Sequence, residues 1–165
     1  MSVAKVDGFG VRITGTDTSA NTENRGKFVR MYASEAITKG DLVALDLNAT
    51  EPANGYGNHV MKAVTSNALA QHGIGIAAET ISAASTVAPI SIQVHGLCTF
   101  AKSDVSESSN GQLLAACATS ATLSIYDTSE DTGSGGNTLP VAISVTEHSG
   151  DTAASVVFLL NPANL

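Results

Sequence analysis

The chain has no tryptophan, and aromatic residues of all kinds make up only 4% of it. Tyr32, Tyr56 and Tyr126 are far apart in sequence, so little is available to build a stacking platform for sugars or single-stranded nucleic acid. Cysteine is nearly absent. Cys98 and Cys117 are too few for a disulfide framework and lack metal-ligand spacing, and their apolar surroundings predict buried free thiols. Long hydrophobic runs are missing too: the longest, Val156 to Leu160, is far too short to span a bilayer. The first eight residues hold no apolar stretch of the kind that directs export, which predicts synthesis in a cytoplasm. Basic residues are outnumbered, eight against fifteen acidic, giving a net charge of −7. Phosphate backbones and acidic lipid surfaces both require a basic field, so neither direct nucleic-acid binding nor a membrane partner is expected.

The residue patterns that carry chemistry are missing as well. A nucleophile needs a base within hydrogen-bond reach and a third group to orient that base. The histidines are His59, His72, His95 and His148, and no Gly-x-Ser-x-Gly elbow lies near any of them. His95 and Cys98, three residues apart on one predicted strand, would point to opposite faces. No His-Glu-x-x-His, paired Cys-x-x-Cys or calcium loop is present. Asp127, Glu130 and Asp131 cluster on a glycine-rich stretch and read as a solvated acidic loop. Gly73-Ile-Gly-Ile-Ala-Ala is not a dinucleotide fingerprint, and no helical pattern follows it. No catalytic residue, metal ligand or cofactor is predicted, and the chain is expected not to be an enzyme.

What the chain does contain is Ala, Ser, Thr, Gly and Val in abundance, with Leu, Glu, Lys and Gln sparse. Small and β-branched residues suit closely packed strands and tight turns better than helices. Period-two alternation marks strands at Phe28–Ala33, Leu42–Leu47, His59–Val64, Gly73–Thr80, Leu123–Tyr126 and Val141–Val145. The cleanest is Ile90–His95, with Ile90, Ile92 and Val94 on one face and Ser91, Gln93 and His95 on the other. Gly96 is expected to break that strand before Leu97–Phe100 extends the run. Gln112–Cys117 is ambiguous between strand and short helix, and one helical turn fits within Ser66–His72. The glycines at 73 and 75 suggest a bulge or a close backbone approach. Val156–Leu160 is predicted to be a strand buried on both faces.

The order of these segments echoes itself. Lys39–Leu45 resembles Asn110–Ala116, Gly75–Thr80 parallels Val141–Thr146, and Ile90–His95 parallels Ser155–Leu160, each pair separated by nearly the same interval. Chance likeness among Ala/Val/Gly-rich strands is the competing explanation. The expected architecture is all-β: a compact β-barrel or β-sandwich built of two related β-units, with an extended N-terminal arm. Residues 1–27 would form the polar arm and 28–165 a single β-rich domain, with the repeat spanning 36–100 and 108–162. Closure or stacking follows from the need to hide strand edges.

Charge is divided unevenly along the chain. Residues 1–30 hold five basic side chains, Lys5, Arg12, Arg25, Lys27 and Arg30, against three acids, while the remainder holds three against twelve. A basic arm on an acidic body can steer docking onto an acidic partner surface, and these five residues are the candidate contacts; a merely solvated tail is the alternative.

Ala36-Ile-Thr-Lys-Gly-Asp-Leu-Val-Ala-Leu-Asp46, Gly73-Ile-Gly-Ile-Ala-Ala-Glu-Thr80 and Ile90-Ser-Ile-Gln-Val-His-Gly96, in that order, resemble the head decoration (capsid cement) proteins of tailed bacteriophages. The resemblance covers residues 33–100 and, more faintly, 110–162. It implies a β-rich structural virion protein that binds the exterior of an assembled capsid as a homotrimer and clamps neighbouring major capsid subunits. It implies no catalytic residues and no cofactor. The arm is longer and more polar than the family pattern requires. A receptor- or glycan-binding β-module of a virion or cell surface is the alternative function.

Overall fold

The computed structural model describes residues 26–47, 58–64, 72–82, 88–103, 110–126, 139–146 and 154–160, and the backbone of 5–6 and 12–13. Every regular element among them is a strand. The strands are β1 (Lys5–Val6), β2 (Arg12–Ile13), β3 (Lys27–Ala33), β4 (Leu42–Leu45), β5 (His59–Lys62) and β6 (Gly73–Ala77). They continue with β7 (Ala88–Lys102), β8 (Leu113–Ala116), β9 (Leu123–Ile125), β10 (Ala142–Ser144) and β11 (Ala154–Leu160). The ambiguous 112–117 stretch is therefore a strand, β8. Of the arm, the antiparallel β1–β2 pair and residues 26–27 are described, and Lys27 already opens β3. The helical turn predicted within 66–72 and the acidic loop around 127–131 lie outside the described residues.

Strands β3-β5-β4-β6-β7 follow one another in hydrogen-bonded order, and β7 pairs back to β3, closing a five-stranded barrel. All of its contacts are antiparallel except β3–β5, where Tyr32 and Ala33 run parallel to His59 and Val60. The interior is filled by alternate residues: Met31, Ala33, Val43, Val60, Ile74, Ile90, Ile92 and Val94 form one buried apolar cluster. This is the face that period-two reading assigns to Ile90, Ile92 and Val94. A β-carbon on Gly75 would stand 2.4 Å from the Gln93 carbonyl oxygen, so β6 lies against β7 at a distance only glycine permits.

The second set of strands, β11-β10-β8-β9, continues from the other half of β7. A parallel bridge from Ser103, just past the end of β7, to Leu123 of β9 brings this set round on itself. Its connectivity matches that of the first set, with the second half of β7 in the place of β3, and β8, β9, β10 and β11 in the places of β4, β5, β6 and β7. Registers match as well. Leu42 pairs Ile76 in the first unit, as Leu113 pairs Ile143 in the second. Ile76 goes on to pair Gln93, as Ile143 goes on to pair Phe158. Val43 pairs Lys62, as Leu114 pairs Ile125. Gly40 and Gly111, each two positions before the leucine of its unit, both take left-handed backbone, with φ of 93° and 81°. The hydrogen-bond register matches Ile76 to Ile143, whereas the sequence alignment of Gly75–Thr80 with Val141–Thr146 matches it to Ala142; the structural correspondence is one position further along.

Strand β7 is where the two units join, and it departs from expectation. Gly96 does not break it. The strand runs fifteen residues from Ala88 to Lys102, with Gly96 at φ 88° and paired to Leu159. A glycine absorbs the local twist at no steric cost, so the ladder passes through. His95 is the changeover: it pairs Lys27 of β3 and Leu160 of β11. Gln93, placed by periodicity on the polar face, is 2% exposed. Its amide nitrogen donates to the carbonyls of His95 (3.3 Å) and Leu97 (2.9 Å), spanning the Gly96 irregularity and satisfying a buried polar group.

The two units pack directly. Leu42, Ala44 and Ile76, on the outer face of the first barrel, belong to the same buried cluster as Ala101, Leu114, Leu123, Val157 and Leu159 of the second unit. The 38–41 turn fastens this seam. Gly40 accepts from Lys102 N–H (3.0 Å), Leu42 N–H donates to Ala121 (2.8 Å), and Lys102 Nζ donates to Asp41 at 2.5 Å. Asp41 also accepts from Thr38 N–H at 2.8 Å, and the Lys39 ammonium lies 5.1 Å from the centre of the Phe100 ring.

Candidate functional surface

Reactive side chains are dispersed by the fold. His59 points away from the barrel interior yet is 2% exposed, with the Tyr32 ring 5.8 Å away. Neither of its ring nitrogens has a hydrogen-bond partner among the described residues. His95 meets the Phe158 ring edge to face at 5.4 Å. Cys98 and Cys117 are both buried free thiols, as their surroundings predict. Burial pushes the Cys98 thiol up from its ordinary 9.0, against smaller opposing pulls from the Phe100 and Ala101 backbone and the Lys39 charge. Among the described residues, no three His, Cys, Asp or Glu side chains come together as a metal site would require. No described helix is long and apolar enough to cross a membrane.

The five basic residues picked out by charge separate into two groups. Lys27 and Arg30 stand exposed on β3, a wall of the first barrel, so they belong to the folded body. Lys5 and Arg12 sit at the ends of the β1–β2 register, where Lys5 pairs Ile13 and Val6 pairs Arg12. Arg25 lies outside the described residues.

A feature the sequence pattern did not isolate is on the outside of the second unit. Leu113, Ile143, Phe158 and Leu97 are direct cross-strand partners on β8, β10, β11 and β7. Partners in register share a face, so the four side chains form one continuous apolar row. Leu113 and Leu97 are 39% and 41% exposed, and Ile143 and Phe158 are half-buried. The prediction that Val156–Leu160 is buried on both faces is thereby corrected. Val157 and Leu159 fill the interior, while Val156, Phe158 and Leu160 on the outer face are only half-buried. The signal for this surface was the unbroken apolar run itself. It marks a strand with apolar residues on both faces, and it cannot say whether the second face is covered by the same chain.

Charge is almost absent here. Among the described residues from Leu97 onward, Lys102 alone is charged, and it is committed to Asp41. Solvated sheet faces and edges are ordinarily studded with Lys, Glu or Asp. The arrangement is suited to adhesion, and the described residues bring no acid, base and nucleophile together. Compared with known protein families and with curated proteins, the chain matches none.

Proposed function

We propose that the protein is a structural virion component that binds the outside of an assembled tailed-phage capsid, as a homotrimer, and clamps neighbouring major capsid subunits. The observation that carries this reading is the outer face of the second unit, uncharged among the described residues, with its in-register row of Leu113, Ile143, Phe158 and Leu97. The likeness of the 36–46, 73–80 and 90–96 stretches to head decoration proteins supports it. A clamp works by adhesion and not by turnover, and modest contacts repeated across several subunits give high avidity. The basic residues Lys5, Arg12, Arg25, Lys27 and Arg30 supply complementarity to an acidic shell.

Co-sedimentation with emptied shells of the cognate major capsid protein tests the reading. The full chain should bind, and binding should weaken as salt rises because charges that are solvent-exposed, as Lys27 and Arg30 are, are screened by salt. Deleting residues 1–25 should lower affinity at least about tenfold, the equivalent of ~1.4 kcal/mol, while the β-type circular-dichroism spectrum persists. The cut must stop short of Lys27, because β3 begins there and closes the first barrel. Unaltered shell binding by the truncated chain removes the arm from the interface; no binding by the full chain sinks the reading.

A further inference from the structure

We infer that the open edge of β3, in the first unit, takes an extended acidic segment of a partner protein as an added strand. The edge follows from the hydrogen-bond pattern. Along a strand, alternate residues aim their backbone N–H and C=O groups to opposite sides. Arg30 is the cross-strand partner of Ser91, and the Ser91 carbonyl accepts from Ala78 N–H (2.9 Å), on the side of β7 away from β3. The backbone groups of Arg30 therefore aim away from β7 as well. Tyr32, two residues on, agrees: its N–H donates to the Asn58 carbonyl at 2.8 Å, on the β5 side. Phe28, two residues back and in register with Gln93, shares that direction. Among the described residues, β5 pairs with β3 at Tyr32 and Ala33 alone. Lys27–Met31 thus lean on β7 on one side and meet no described strand on the other. Exposure agrees, with Phe28 at 52% and both Lys27 and Arg30 exposed. A row of strand backbone groups without a neighbouring strand is a template for one more strand.

Charge selects the occupant. β3 carries Lys27 and Arg30 and no carboxylate, and the facing stretch of β7, Ala88–His95, carries none either, on a chain whose net charge is −7. An acidic segment is therefore the complement of this edge. The chain shows the same kind of fit within itself. Lys102 stands in the second unit where Tyr32 stands in the first, opposite Ala154 as Tyr32 is opposite Pro89. Its N–H donates to the Gly40 carbonyl (3.0 Å), and Leu42 N–H donates to the Ala121 carbonyl (2.8 Å) just ahead of β9. Residues 40–42 of the first unit thus join a strand of the second by backbone bonds, with the Asp41 carboxylate set against the Lys102 ammonium. The added strand on β3 repeats that arrangement with a segment from outside the chain. It stands on the edge alone; only the placing of the segment on a capsid subunit rests on the proposed function.

The test uses the full chain and a blocked peptide of alternating valine and glutamate, with amide exchange read by NMR. In the free chain the Phe28 and Arg30 amides should exchange at least about a hundredfold faster than those of Val29 and Met31, which face β7. The peptide should slow both, saturably, and less so as salt rises. The same peptide with every amide nitrogen methylated keeps its charge and loses its donors; it should bind at least about tenfold more weakly. Arg30→Pro removes a donor that points away from β7, so the variant should keep its β-type spectrum and lose the peptide. If that variant does not fold, the methylated peptide alone decides. Phe28 and Arg30 amides already protected in the free chain overturn the inference, because the edge is then filled by this chain or a second copy of it. So does equal binding by the methylated peptide, which would make the contact one of charge only, and so does the lack of saturation at about 1 mM peptide. Shell binding separates the two claims. Shells bound by a chain that ignores the peptide sink the added strand alone. Peptide bound by a chain that never binds shells sinks the proposed function alone.

Discussion

Two glycines show how equivalent positions in the two units differ in consequence. Gly40 and Gly111 share left-handed backbone, but a β-carbon on Gly40 would lie 2.6 Å from the Phe100 carbonyl oxygen, whereas one on Gly111 would meet nothing within 4 Å. Gly111→Ala should therefore cost only the conformational penalty, about 1 kcal/mol, while Gly40→Ala should cost about 3 kcal/mol or more, because the seam between units must also move. Urea denaturation of the two variants checks the ordering; equal losses would mean that the seam is not tight at Gly40. Cys98 gives a second expectation at this scale. Its thiol should resist modification at neutral pH until the chain unfolds. Its pKa is raised in the folded state, so the stability it contributes is complete below the ordinary 9.0 and is lost as pH climbs beyond that value. A time course with a thiol reagent under neutral and strongly alkaline conditions, read beside a melting curve, follows both. Residue-scale features of this kind were partly legible in the sequence. The apolar setting of Cys98 and Cys117 announced their burial. The burial of Gln93 and His59 did not show, because alternation assigns a side chain to a face and cannot reveal what lies over that face.

The elements were legible where alternation was strict. Ile90, Ile92 and Val94 line the barrel as their spacing requires, and the ends of β3 and β9 fall close to expectation. Prediction failed at Gly96, where a glycine that ordinarily ends a strand carries it onward, and at Val156–Leu160, where a fully apolar run was assigned two buried faces. The first miss arises because pairing partners far away in sequence, β3, β6 and β11, decide what β7 does; the second arises because an apolar run does not say whether the chain covers its second face. The seam between units rests largely on the 38–41 turn. Asp41 and Lys102, with side chains 7% and 27% exposed, form a part-buried charged hydrogen bond across it. A double-mutant cycle with Asp41→Asn and Lys102→Met should return a coupling of about 1–2 kcal/mol, reduced from the dry-interior figure because Lys102 still reaches solvent. Additive losses would mean that the pair merely sits at the seam without joining its halves.

At the scale of the whole molecule, the first unit has a complete five-stranded ring, whereas the second, among the described residues, is brought round by the Ser103–Leu123 bridge and leans on the outer face of the first. The all-β class and the likeness between segments could be read from the chain. The sharing of β7 by both units could not, since nothing local in Ala88–Lys102 says that one strand serves two units. Because they share a strand and one buried cluster spans the seam, the units should unfold together. Ile92→Ala in the first interior and Leu159→Ala in the second, each at no more than 1% exposure, should each remove about 2–5 kcal/mol from one common transition. Calorimetry resolving two separate melts, each moved by only one substitution, would contradict that.

A chain that passes from one unit to the next inside a single strand has no hinge at the crossing. The halves cannot swivel about a linker, and force applied to one reaches the other as shear along β7, shared among the hydrogen bonds to β3 and β11 and not peeled away one at a time. Such a joint makes the molecule a stiff strut of fixed angle, able to carry tension between the two places where it is held.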